Sequence, residues 1–205
     1  MNNPNFSDIA QNAKSYIEKH FLLAEEKGFF LERNFEPSTE SEIFLIGLHV
    51  IISDQIHQFL KQSYRSKIYL TSGNDLIKVL NDKTEEEELL KEEELLNLEL
   101  LIKGRGKIDK IQKILNSPSK DNIENFLSAF NVNFKNEFQK YEPCKSQPYS
   151  SFDVFNNIYD SRCYYVHDNT KKVGNKLQYQ DLKEYEIAIY QFMIDVIKIL
   201  KLPDY

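Results

Sequence analysis

Apolar residues return along this chain at intervals of three and four, the spacing of helices that bury one face. The first such stretch predicts a helix from Ser7 to Lys27. Ser7 is placed to cap it, Asp8 suits its positive end and Gly28 its stop. A second helix is expected from Pro37-Ser38-Thr39 to about Ser63. It opens on the capping-box pattern Thr39-Glu40-Ser41-Glu42, and its centre, Phe44 to Leu60, is apolar nearly all round, as in a buried helix. A short helix is expected from Ser72 to Lys83, and another over the leucine-rich stretch 84–103. Pro118-Ser119 opens a helix that reaches Phe130. Lys140 to Tyr149, with Pro143 and Pro148, reads as a loop. Ser150-Ser151 opens a helix ending at His167. A polar turn leads to a last helix, Gln180 to Leu200, with Tyr185, Ala188, Ile189, Phe192, Val196 and Ile199 on one stripe.

The pattern therefore predicts an all-α fold: a bundle of about six helices, largely antiparallel, forming a single domain over 1–205, with 84–115 readable as a helical insertion. Glycine and proline number six each, too few to punctuate a many-stranded sandwich. The net charge of −6 argues against a surface that coats nucleic acid, so any such contact has to be local. Within the stretch 84–115, the acidic run Glu85 to Glu94 reads as a solvated helix face. The basic cluster Lys103, Arg105, Lys107, Lys110 and Lys113 reads as a solvated helix start, with contact to a phosphate backbone as the alternative. Cys144 and Cys163 form no C-x-x-C pair, which fits a reducing, cytoplasmic setting. The N-terminus has neither the charged nor the apolar region of a signal peptide. The longest apolar run, Ile43 to Ile52, is broken by Gly47 and His49 and is short for a bilayer, so no membrane partner is expected.

Candidate chemistry concentrates in the helix from Ser151 to His167. On a helical wheel Phe152, Phe155, Tyr159, Cys163 and Val166 make one apolar seam. Arg162 and His167 lie on opposite shoulders of it, diverging by about 140° and separated by about 7.5 Å along the axis. Such a pair converges more readily on one ligand when a two-fold axis brings a second copy of the helix alongside, so a homodimer is expected. Asn156, Asp160, Cys163 and His167 form a ridge on which Asp160 is placed to accept a hydrogen bond from the His167 ring. Asn169 lies one shoulder across, near Arg162; simple surface polarity is the alternative reading of both Asp160 and Asn169. His20, His49, His57 and His167 lack metal-ligand spacing, and His49 and His57 read as core-edge residues; no metal or other cofactor is expected. Asp54, on the same helix, is a candidate to line a cleft facing the Arg162–His167 helix. No P-loop, dinucleotide or nucleophile-elbow motif is present.

Arg162-Cys-Tyr-Tyr-Val-His167, closing the penultimate helix of an all-α chain and flanked by Asn156 to Ser161 and by Asp168-Asn169, resembles the Arg-x4-His motif of the HEPN superfamily. Ser117 to Phe134 is similar to the capped helix that precedes the motif helix in the group tied to prokaryotic defence. The resemblance extends, as an order of elements, from about residue 40 to the end. It implies a HEPN-like helical bundle and a metal-independent endoribonuclease, acting as a toxin or antiviral effector through a composite dimer site. Arg162 would stabilise the phosphate and His167 would move a proton, with Asp160, Cys163 and Asn169 supporting. RNA, a second copy of the chain and an antitoxin or sensor protein are the implied partners. Two positions depart from the family: Cys163 stands where Asn, Asp or His is common, and Asn169 where some members carry Tyr. The alternatives are a non-catalytic HEPN binding or dimerisation module and a helical interaction protein with a fortuitous motif.

Overall fold

A computed structural model describes residues 5–31, 39–70, 119–141, 149–167 and 177–203. Helix α1 (Phe6–Glu26) starts on Asn5, whose side chain accepts from the backbone N–H groups of Ser7 and Asp8 at 3.0 and 3.3 Å. The cap is thus two residues earlier than Ser7, because Phe6 is fully buried and the helix has to begin early enough to carry it inward. Phe6, Ala10, Ala13, Ile17, Phe21 and Ala24 form its buried stripe, and the alanines leave room for neighbouring helices to approach. Gly28 ends it at φ +77°, where a side chain would be strained. A 3-10 turn, Phe29–Leu31, follows.

Helix α2 (Thr39–Leu70) runs two turns beyond the expected end at Ser63. Those turns carry Tyr64 and Ile68, which are buried; Tyr64 meets Phe126 of helix α3 (Lys120–Phe130) at 4.0 Å between ring centroids. The polar letters around Ser63 suggested a stop, but packing against a distant segment prolongs the helix. By length and composition α2 qualifies as a membrane-crossing helix. In this fold Leu48, Ile52, Ile56, Phe59 and Leu60 are buried, its neighbours are α1, α4 and α6, and Asp54, Gln58, Gln62 and Arg65 are exposed.

Ser119 caps α3 as expected, accepting from Asn122 N–H at 3.4 Å. A 3-10 turn (Phe134–Glu137) leads to β1 (Lys140–Tyr141), which pairs antiparallel with β2 (Tyr149–Ser150) and closes the base of the expected loop. Helix α4 (Ser151–His167) begins directly after it, with Ser150 and Asp153 capping one another: Asp153 N–H donates to Ser150 Oγ at 3.1 Å and Ser150 N–H to Asp153 Oδ2 at 3.0 Å. The expected final helix is two helices, α5 (Tyr179–Glu184) and α6 (Glu186–Leu200), with Tyr185 between them at ψ −7°. The two parts answer to different neighbours. In α5, Tyr179 Oη donates to Ser41 O and Gln180 Nε2 to Phe30 O, both at 2.6 Å, whereas α6 packs on α1, α2 and α4.

Direction follows from contacts at the ends. Phe6 packs near Phe59 while Lys27 meets Glu40, so α1 and α2 are antiparallel. Phe6 N–H reaches Pro203 O and Lys14 lies over Tyr190, so α1 and α6 are antiparallel. Ser151 bonds to Asp195 and Asn157 approaches Tyr185, so α4 and α6 are antiparallel. α1, α2, α4 and α6 form an up-down bundle, the largely antiparallel all-α arrangement expected. Its core centres on Phe192, stacked at 4.7 Å on Phe155 and 5.7 Å on Phe138. Each buried phenylalanine of this kind contributes about 1.5–3 kcal/mol of transfer free energy, and aromatic pairing adds to it. The expected helices at 72–83 and 84–103, the insertion 84–115 with its charge runs, and Cys144 lie outside the described residues.

Candidate functional site

The helix that carries the Arg-x4-His sequence is fixed at both ends. At its start, the Asp195 carboxylate, 2% exposed, reaches out of α6: Oδ2 accepts from Ser151 Oγ at 2.7 Å and from Gln139 N–H at 2.9 Å, and Oδ1 accepts from Gln191 Nε2 at 2.7 Å. A buried carboxylate is tolerated when its lone pairs are filled in this way.

Toward its end, Ser161 Oγ lies 2.9 Å from His49 Nε2 on α2, and both residues are fully buried. The other ring nitrogen, Nδ1, lies 3.0 Å from Leu45 O. A carbonyl can only accept, so Nδ1 carries the proton and Nε2 accepts from the serine hydroxyl. Ser161 Oγ in turn accepts from Leu177 N–H at 3.1 Å. Tyr165 adds a second tie, donating to Leu177 O at 3.2 Å with its ring 4.8 Å from the His49 ring. Burial holds the His49 imidazole below its ordinary range, opposed by the backbone bond to Leu45 and by Asp181, and it pushes the Tyr165 hydroxyl up to about 12. The Ser161–His49 pair is structural: a hydroxyl closed off from solvent is no nucleophile.

This arrangement corrects the apolar seam. Phe152 and Phe155 are buried as expected, but farther along α4 the buried stripe is Val154, Ile158 and Ser161 with Tyr165 half-buried, while Cys163 and Tyr159 are half-buried and Val166 is 41% exposed. The stripe is rotated by about 100°, one residue's turn, from the expected line. The cause is Ser161, a polar letter that its hydrogen bonds allow to face inward.

Arg162 follows Ser161 directly and is half-buried at the border of the stripe. Asp160, one residue before Ser161, is half-buried. Its burial raises the carboxyl above the ordinary range, and the Lys120 ammonium at the start of α3 opposes that shift. Cys163 is a free, half-buried thiol. His167 is the last residue of α4; its side chain, and all of Asn169, lie outside the described residues, as does the expected Asp160–His167 bond. Helix α4 is continuous from Ser151 to His167. Asp54 is exposed on α2, and His49 is in the core itself rather than at its edge. Among the described residues no three His, Cys, Asp or Glu side chains converge as a metal site would need.

Sequence reasoning missed the two anchors. Asp195 had a signal, a lone acid inside the apolar run Ile194 to Leu200. The His49–Ser161 pair had none, because nothing local connects residues 112 apart. No protein-family model, no curated protein and no solved structure matches this chain.

Proposed function

We propose that the chain is a metal-independent endoribonuclease of HEPN type, a toxin or antiviral effector of the cytoplasm that works as a homodimer. The reading is supported by one observation above the others: Arg162 stands next to a serine whose hydroxyl is buried and hydrogen-bonded on both sides, so its backbone is held by the bundle interior. A phosphate-stabilising guanidinium is most effective when its orientation is set in advance.

The chemistry requires no outside nucleophile. The ribose 2′-hydroxyl gives up its proton and its oxygen attacks the adjacent phosphorus. The bond from phosphorus to the 5′-oxygen breaks and that oxygen takes a proton, leaving a 2′,3′-cyclic phosphate and a 5′-hydroxyl. His167 moves one of these protons and the imidazole of the second copy the other. Arg162 neutralises charge on the five-coordinate phosphorus. Asp160, Cys163 and Asn169 support the pair, and an antitoxin or sensor protein restrains it.

A second reading, a non-catalytic binding or dimerisation module, is favoured by Cys163, a half-buried thiol beside Arg162 that supplies only a weak hydrogen-bonding group. The two are separated by incubating the purified chain with a mixed RNA pool in excess chelator. Catalysis predicts cleavage that falls by at least about a hundredfold in Arg162→Ala and in His167→Ala, with helix content unchanged. Folded wild-type protein that leaves every RNA intact refutes the ribonuclease reading.

A further inference from the structure

Helix α2 is apolar on its outward side as well as its inward one, but only over its first half. Opposite the buried Leu45, Leu48, Ile52 and Ile56, a line at helical spacing runs through Ile43, Gly47 and Val50 and continues through Asp54, Gln58 and Arg65. The second three are exposed polar residues, as a solvated face requires. The first three are not of that kind. Ile43 is 65% exposed and Val50 38%, and the half-buried Ile46 and Ile51 flank them. Gly47 stands at the centre of this patch. Glycine inside a helix is unfavourable and has its use where another backbone comes close. A Cβ added at Gly47 would meet nothing within 4 Å, so among the described residues nothing comes close. The patch and its glycine suit a helix that one copy of the chain does not supply.

We propose that this face is the contact between two copies of the chain, with their α2 helices crossing antiparallel at Gly47 about a two-fold axis. Charge selects both the occupant and its direction. Glu40, Gly47 and Asp54 are seven residues apart, so they lie nearly in line with about 10.5 Å between neighbours. In a parallel pair Asp54 would face Asp54 and Glu40 would face Glu40. In the antiparallel pair Asp54 of each copy comes over residue 40 of the other. There the exposed Lys27 ammonium, 2.7 Å from the Glu40 carboxylate, supplies the opposite charge. Ile43 of each copy then falls beside Ile51 of the other, and Gly47 lets the two backbones approach. A lipid surface suits the patch less, because Glu40 and Asp54 border it and an anionic leaflet repels them.

The contact also bears on the site. Ser161 of α4 bonds to His49, two residues from Gly47. An antiparallel two-fold keeps both α4 helices on one edge of the contact, so Arg162 of each copy stands close to the level of the axis. This consequence for cleavage rests on the ribonuclease reading; the contact itself does not.

Sedimentation equilibrium on the full chain, from about 1 µM to about 0.1 mM, tests it. The wild type should dimerise, and Ile43→Glu and Gly47→Leu should each weaken the dimer by at least about tenfold. Gly47→Leu should at the same time raise the urea midpoint of the dilute chain, because its side chain enters open space and suits a helix. Lys27→Gln should weaken the dimer, and adding Asp54→Asn should restore most of the loss. A wild type that stays monomeric overturns the proposal, whether it remains in solution or binds vesicles of phosphatidylcholine and phosphatidylglycerol through Ile43. So does a dimer that Ile43→Glu and Gly47→Leu leave unchanged, or a lowered midpoint in Gly47→Leu. A Lys27→Gln dimer as tight as the wild type overturns the antiparallel pairing. RNA cleavage in chelator should be lost with the dimer in Ile43→Glu. Full cleavage by monomeric Ile43→Glu overturns the shared site. A dimeric wild type inert toward RNA overturns the ribonuclease reading and leaves the contact standing.

Discussion

Replacing Asp195 by alanine tests the claim that α4 is anchored at its start by a carboxylate from α6. Asp195 is 2% exposed and accepts from Ser151 Oγ, Gln139 N–H and Gln191 Nε2. Gln191 is half-buried and can turn toward water, so its loss is minor. Ser151 is fully buried, so its hydroxyl loses its acceptor with no water to replace it, whereas the Gln139 N–H belongs to an exposed residue and loses less. An orphaned buried donor costs about 1–3 kcal/mol, offset in part by the charge that is no longer buried. The expected destabilisation is about 2 kcal/mol. Asp195→Asn keeps an oxygen for the two donors and can offer its amine to a flipped Gln191, so it should cost only about 1 kcal/mol. Urea unfolding followed by the helical circular dichroism signal measures both, and the alanine variant should lower the midpoint by about 1 M or more. Adding Ser151→Ala to Asp195→Ala removes one orphan, so the double variant should be less destabilised than the two single losses added together. An Asp195→Ala loss below about 1 kcal/mol, or equal losses in the alanine and asparagine variants, would refute the anchoring.

Three further outcomes follow from single residues. Lys201 caps α6 at φ +52°, a conformation that costs an L-residue about 1 kcal/mol, so Lys201→Gly should stabilise the protein by up to that amount in the same urea titration. The Tyr64 hydroxyl is buried without a hydrogen-bond partner, so Tyr64→Phe should be neutral or stabilising by about 1 kcal/mol, measured as a higher thermal midpoint. His49 is neutral in the fold and its burial lowers its pKa, whereas in the unfolded chain it takes up a proton near its ordinary 6.5. The unfolded state therefore binds more protons below that value. This contribution is whole above pH 6.5 and is lost as pH falls from 6.5 toward the folded value, with a slope of at most about 1.4 kcal/mol per pH unit; His49→Gln should flatten that part of the stability profile. Among the described residues, the charged and titratable groups that act on His49 are Asp181 from α5 and Tyr165 from α4; the raised carboxyl of Asp160 acts at lower pH and in the opposite sense.

The helical order was legible because local signals and packing agree over most of the chain. Ser119 and Gly28 bound helices where their chemistry says they should. The stripe in α6 reads directly from Ala188, Ile189, Phe192, Val196 and Ile199, all buried. Misreadings arose where a distant partner reversed a local preference. Helix α2 continues past Ser63 because Tyr64 packs on Phe126 of α3, and Ser161 turns inward because His49 waits there. The break at Tyr185 is likewise set by what α5 and α6 touch rather than by a local stop signal. Of the site, the sequence supplied the helix and the places of Arg162 and Asp160 along it. It did not supply the His49–Ser161 pair, because a hydrogen bond between residues 49 and 161 leaves no trace in spacing or composition.

The most direct test of the proposed activity is the end chemistry of RNA incubated with the purified protein in excess chelator. The account predicts fragments ending in 2′,3′-cyclic phosphate and beginning with 5′-hydroxyl, formed by the wild type and absent with Arg162→Ala and His167→Ala. Fragments bearing 5′-phosphate, or cyclic-phosphate fragments that persist undiminished in both variants, would contradict it.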